Sequence, residues 1–173
     1  MLLCVAASQP QVVGALEYSR AAILHGEAWR LWSAHLTHFG AAHLAADALA
    51  MALVLLAAGV AMGAGRAAPL AAALAPGISL ALLLVPDLSI YRGASALAYA
   101  IATAVVVFLA RSEPRLRPLL ALVSVLTAGK LAWDAVGPGG GTGILPDGVT
   151  LAWQAHVAGV VLGACAGLFL PRA

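Results

Sequence analysis

From Ala48 to Met62 the chain presents no side chain that can carry a charge or make a strong hydrogen bond. Such a run suits the interior of a bilayer, where a helix satisfies its own backbone and crosses with about 20 apolar residues. The feature recurs. Apolar runs extend from about His35 to Met62, Ala68 to Val85, Ala94 to Ala110, Leu119 to Val136 and Thr150 to Leu170. A weaker run from Met1 to about Leu16 is interrupted by Ser8 to Gln11. It also lacks the basic start of a signal peptide. Six spans are therefore expected, in an all-α membrane protein with one domain over residues 1–173. Charged residues make up only 9% of the chain, against about 25% in soluble domains, which excludes an ordinary soluble fold. No segment alternates like the strands of a β-barrel. No basic cluster reads as a nucleic-acid surface. Cys4 and Cys165 lie in apolar runs near opposite ends, and they read as small hydrophobes rather than a disulfide.

The connections indicate orientation. Pro76 and Gly77 are expected to kink the third span. The loop Arg111 to Pro118 is basic, and Gly137 to Gly148 is glycine-rich and flexible by composition. With the amino terminus inside, Arg66, Arg111, Arg115, Arg117 and Arg172 fall on the cytoplasmic side. Arg20, Arg30 and Arg92 fall outside with Glu17, Glu27, Asp87 and Asp147. That bias favours both termini in the cytoplasm. Trp29 and Trp32 then belong to an outer interfacial loop, and Lys130 and Asp134 lie near the outer end of span five.

Ionisable groups inside a membrane are costly and usually functional. Three places carry them or other reactive side chains. His35, His38, His43 and Asp47 mark the start of span two, with His43 and Asp47 four apart on one helix face. Ser95 begins span four, where first-turn N–H groups have no helical partner and can receive an anion. Gly93 precedes it and permits close backbone approach, and Tyr99 follows one turn on. His156 lies in span six with Gly159, Gly163 and Gly167 on its own face, which lets that helix press against a neighbour. A nucleophile needs a base and an oxyanion stabiliser within hydrogen-bond reach, and these places hold candidates for all three at similar depth.

These residues resemble those of the rhomboid intramembrane serine proteases. The family pattern in the second span is His, four residues, His, three residues, Asn; here it is His38, His43 and Asp47. The nucleophile motif Gly-x-Ser-Gly with a tyrosine four after the serine is matched by Gly93, Ser95, Ala96 and Tyr99. The last-span motif His-x-x-Gly-x-x-x-Gly is matched by His156, Gly159 and Gly163, and a Trp-Arg pair in the first outer loop by Trp29 and Arg30. Leu16 to His38, Gly129 to Pro138 and Trp153 to Gly163 look most like the rhombosortase subgroup.

The resemblance implies a six-helix rhomboid-like bundle in a bacterial inner membrane, with its active site near the periplasmic side. It implies an endopeptidase that cleaves the C-terminal sorting tail of exported single-pass proteins, a tail with a Gly-Gly motif, one transmembrane helix and a basic end. Ser95 and His156 would form the dyad, with the Ser95 N–H and His43 as oxyanion donors and no acid orienting His156. No cofactor, metal or nucleic acid is expected. Two positions depart from the pattern. Ala96 replaces a glycine and adds a methyl at a tight, strand-like approach to the helix. Asp47 replaces an asparagine. An ionised carboxylate there would repel an oxyanion, so Asp47 helps either when protonated, as burial favours, or by orienting His43. Two alternatives stand beside this reading. One is a non-catalytic rhomboid-like protein that binds membrane helices. The other is a metalloenzyme using His35, His38, His43 and Asp47.

Overall fold

The computed structural model describes residues 2–136 and 145–171. Most of the expected glycine-rich loop, residues 137–144, and Arg172 lie outside the described residues. The elements in order are α1 (Leu2–Ala7), α2 (Val13–Leu16), β1 (Tyr18–Ser19), α3 (Arg20–Leu24), α4 (Arg30–Ser33), α5 (Ala41–Met62), α6 (Ala64–Leu82), β2 (Ile90–Tyr91), α7 (Ser95–Ser112), α8 (Arg117–Val136) and α9 (Trp153–Phe169). Single 3-10 turns cover Ala34–Leu36 and Pro114–Leu116.

Among the described residues, four helical segments are long and apolar enough to cross a membrane: α5, α6, α7 and the run Pro114–Val136 that contains α8. The apolar α9 has 17 residues, about 25 Å at 1.5 Å per residue. The expected first span is corrected. Residues 2–16 form two helices of 6 and 4 residues, both too short to cross. The break falls at Ser8 to Val12, where Pro10 cannot donate to a helix. The second span starts later than expected. His35 lies in the 3-10 turn, His38 in the loop after it, and α5 begins at Ala41. At Pro76 and Gly77, α6 runs on as one helix. Gly77 serves packing there, since a Cβ on it would stand 3.2 Å from Leu162 Cδ1 of α9.

The buried centre is α7. Ala96, Ala100, Ile101 and Ala104 have no exposed surface. Around it, α5 turns Leu49, Leu53, Leu56 and Val60 outward, and α8 turns out Leu119, Leu122, Val125 and Leu126. Outward-facing apolar side chains of this kind suit lipid. The closest approach in the bundle joins α7 to α9. A Cβ on Gly159 would stand 2.2 Å from the Ala96 carbonyl oxygen, one on Gly163 2.1 Å from that of Ala100, and one on Gly167 2.7 Å from that of Ala104. The two backbones touch, which only small residues on both sides permit. Ala96 is one of these rungs, inside the first turn of α7. Its methyl is accommodated in the helix and does not crowd an extended loop.

At the end of the bundle where α7 and α9 stop, Arg111 Nη1 donates to the carbonyls of Gly167 (2.8 Å) and Leu170 (3.1 Å). Arg66 Nη1 donates to that of Pro171 at 3.0 Å. These cations satisfy carbonyls that the end of α9 leaves open. At the other end, β1 and β2 pair antiparallel, Tyr18 opposite Tyr91 and Ser19 opposite Ile90. The Arg20 N–H donates to the Ser89 carbonyl (3.0 Å), and Arg92 Nε pairs with Glu17 Oε2 (2.6 Å). Arg30, expected as an outer-loop charge, is buried and donates to the carbonyls of Gly14 and Glu17 and to Glu27. The loop before α7 is thus tied to the loop before α5. Trp29 and Trp32 are exposed, as interfacial residues are.

Substituting Gly163 by alanine should force α7 and α9 apart. Overpacking of this kind costs about 1–3 kcal/mol, read as a lower thermal midpoint in detergent. Gly129→Ala, where nothing lies within 4 Å of the added Cβ, should leave the midpoint unchanged or raise it.

Candidate active site

Gly93 places the loop that delivers Ser95. Its φ is +129°, and a Cβ on it would meet His43 Nε2 at 2.9 Å and Asp47 Oδ2 at 3.0 Å. Glycine is needed for both the backbone angle and the contact. The Gly93 carbonyl accepts from the Tyr91 hydroxyl at 2.8 Å, and its N–H donates to the Ala34 carbonyl at 3.3 Å. Burial pushes the Tyr91 phenol above its ordinary range, so this hydroxyl stays a donor.

Ser95 is the first residue of α7, and its Oγ lies 2.8 Å from His156 Nε2. His156 is buried in the first turn of α9, nearer the helix start than the apolar run suggested. The Tyr99 ring packs on the imidazole, centroids 4.8 Å apart and tilted by 36°. The α7–α9 contact brings these three residues together, with Gly159 and Gly163 as the rungs next to them.

On the other side of Ser95, four nitrogens surround one oxygen. Asp47 Oδ2 accepts from the backbone N–H of Ala94 (2.7 Å) and of Ser95 (3.2 Å). His38 Nε2 lies 3.2 Å from it and His43 Nε2 3.3 Å. The N–H of Phe39 donates to His43 Nδ1 at 3.4 Å. That makes Nδ1 an acceptor and leaves the ring proton on Nε2, aimed at the carboxylate. The sequence pointed to the Ser95 N–H and His43 as a pair of anion donors. In the structure the Asp47 carboxylate already occupies their meeting point.

His35 is not part of this cluster. Its Nε2 lies 3.1 Å from the Ala75 carbonyl and 3.2 Å from Ser79 Oγ, both on α6. The four-residue metal alternative is therefore corrected: a histidine committed to α6 cannot join the other three. Among the described residues, no group of three or more His, Cys, Asp or Glu is placed to hold a metal ion. Cys4 and Cys165 are free.

Sequence reasoning missed Asp134. It lies on α8, buried, with Oδ2 3.9 Å from His156 Nδ1 and Oδ1 2.5 Å from Lys130 Nζ. The available signal was an acid four residues after a lysine in an apolar span. A cleft of about 770 Å³ opens above Ser95 and His156, bounded by His43, Arg92, Asp134 and residues 148–154.

Long apolar helices that turn apolar side chains outward define a multi-pass membrane protein. The half-buried serine and buried histidine at one end of the bundle are the groups a serine hydrolase uses. The Rhomboid domain model matches residues 25–173. The chain belongs to the rhomboid family, whose members are generally intramembrane serine proteases. Comparison with curated proteins gave no match.

A Gly93→Ala variant should fold but push the Ser95 loop off His43 and Asp47. Labelling of Ser95 by a fluorophosphonate should fall about tenfold or more, since a forced left-handed alanine costs roughly 1–2 kcal/mol before the contact is counted. Competitive labelling against the parent protein measures it.

Proposed function

We propose that this chain is an intramembrane serine endopeptidase of the rhombosortase type, with Ser95 as nucleophile and His156 as base. The observation that carries the reading is the 2.8 Å contact between Ser95 Oγ and His156 Nε2 at the floor of the cleft. Nε2 takes the Oγ proton as Oγ attacks the scissile carbonyl carbon. The C–N bond then breaks, and the leaving amine takes the proton from Nε2. Water then gives a proton to Nε2 as its oxygen attacks the acyl carbon, the bond from that carbon to Oγ breaks, and Nε2 returns the proton to Oγ, releasing the acid. Tyr99 holds the imidazole plane through these steps.

The oxyanion needs donors where charge develops. The Ser95 N–H and His43 Nε2–H are such donors, and both are turned towards Asp47 Oδ2. An incoming carbonyl oxygen has to share that place, so Asp47 must carry a proton or turn away when substrate binds. The pseudoprotease alternative draws on the same contact, because a filled anion site is how an inactive relative would look. The intact serine–histidine contact favours the enzyme.

The substrate is a single-pass protein with a C-terminal Gly-Gly motif, a transmembrane helix and a basic end. The basis is the likeness of Leu16 to His38, Gly129 to Pro138 and Trp153 to Gly163 to the rhombosortases. Placement in a bacterial inner membrane follows from the same likeness. Arg66, Arg111, Arg115 and Arg117 gather at the end of the bundle away from Ser95. The positive-inside rule puts that end and the carboxyl terminus in the cytoplasm, and the cleft at the periplasmic face. Residues 2–16 then lie at the outer face, because Ser8 Oγ accepts from the His38 N–H at 2.9 Å.

Ser95→Ala and His156→Ala should each abolish fluorophosphonate labelling of the purified, folded protein. They should also abolish cleavage of a reporter bearing a Gly-Gly, transmembrane and basic tail. Labelling that survives either change sinks the dyad. Cleavage of an unrelated single-pass helix in preference to the tail sinks the substrate reading alone.

Asp47→Asn removes the charge and offers an amide N–H to the oxyanion. One such donor is worth roughly 10²–10³ in kcat. We expect labelling to quicken by about tenfold or more at neutral pH. A fall to the level of Ser95→Ala would mean that the carboxylate itself is required.

A further inference from the structure

We propose that Asp134 is a positioning residue for His156, which makes the dyad a loosely closed Ser95–His156–Asp134 triad. The proposal rests on the Ser95–His156 reading and extends it to a third helix.

Two buried atoms on facing helices have no hydrogen-bond partner among the described residues: His156 Nδ1 and Asp134 Oδ2. They face each other at 3.9 Å. An unsatisfied buried donor or acceptor is destabilising, so two complementary ones side by side gain by meeting. Closing the gap by about 1 Å makes an ordinary N–H···O bond. Catalytic hydrogen bonds are often long in the unliganded enzyme and tighten when substrate binds.

Proton bookkeeping gives the direction. For Nε2 to accept the Ser95 proton it must be bare, so the neutral ring carries its proton on Nδ1. Asp134 Oδ2, a carboxylate oxygen that can only accept, lies 3.9 Å from that nitrogen. When Nε2 gains the serine proton, the imidazolium forms beside that carboxylate. Ser95 and Tyr99 face the ring from α7, and Asp134 and Lys130 from α8. Asp47 and His43 stand further off on α5. Asp134 is the one of these aimed at Nδ1.

The rival role for Asp134 is structural. Its Oδ1 pairs with Lys130 at 2.5 Å, and a buried carboxylate needs a cation. The pair uses Oδ1 and leaves Oδ2 free for the imidazole, so the two roles separate by experiment.

The test uses the full chain in detergent micelles with 15N-labelled histidine, and the His156 ring signals identified by their loss in His156→Ala. In the unsubstituted protein we expect Nδ1 protonated and Nε2 bare. The reverse tautomer overturns the proposal without any Asp134 variant. Asp134→Asn should mix or reverse the tautomer and slow fluorophosphonate labelling. Converting the acid of a serine-protease triad to its amide costs on the order of 10⁴. For the longer contact here we expect about 100-fold, in the inactivation rate and not in probe affinity. Asp134→Glu should recover about tenfold or more of that loss. Lys130→Met should lower the thermal midpoint but leave the Nδ1–H tautomer in place. If Lys130→Met matches Asp134→Asn in both tautomer and labelling, or if Asp134→Asn changes neither, Asp134 serves only the ion pair. If the unsubstituted protein takes no label at all, the protease reading fails. The tautomer measurements still decide whether Asp134 holds His156.

Discussion

The backbone contact between α7 and α9 governs the rest of the molecule. Lipid tails are as apolar as the helices, so burial of apolar surface does not drive these helices together; close packing does. Gly159, Gly163 and Gly167 meet the carbonyls of Ala96, Ala100 and Ala104 in rungs four residues apart. The register is therefore rigid. Ser95 lies one residue before the first rung on its helix, and His156 three residues before the first rung on the other. The 2.8 Å separation of their reactive atoms is set by a row of small residues that take no part in the chemistry.

The second constraint lies on the opposite side of Ser95. Backbone N–H groups at the start of a helix hold partial positive charge and lack helical partners. Here the chain fills that place with its own Asp47 carboxylate. The contact suits the resting protein, because it satisfies two amides and faces two imidazoles in a setting poor in water. It conflicts with the proposed reaction, in which those donors bond the substrate oxygen. On that reading the site has to open before each turnover. The position of Asp47 decides how easily it does so.

The few charged residues in the loops are mostly structural. Arg30 fastens residues 14–17, Arg92 pairs with Glu17, and Arg20 reaches the Leu83 carbonyl at 2.7 Å. They bind the segment before α5 to the segment before α7 and so hold the His43–Asp47 face against Gly93. Counted only as loop charges, these arginines suggested orientation. Their positions show that they brace the site.

Much of this was legible in the chain. Long runs without polar side chains allow only membrane helices, and the glycine spacing after His156 places a close neighbour on the histidine's face. Gly93, Ser95, Tyr99, His43 and Asp47 could be picked out because reactive or permissive residues are rare in such runs. The tertiary structure decided what spacing along one helix cannot. It turned His35 onto α6, left residues 2–16 too short to cross, and brought Asp134 of α8 beside His156. It also set the Asp47 carboxylate on the Ser95 N–H. Each of those outcomes depends on how far apart two helices lie and how they are rotated. Those quantities are set by packing between segments distant in sequence, whereas hydropathy and local spacing describe only one helix at a time.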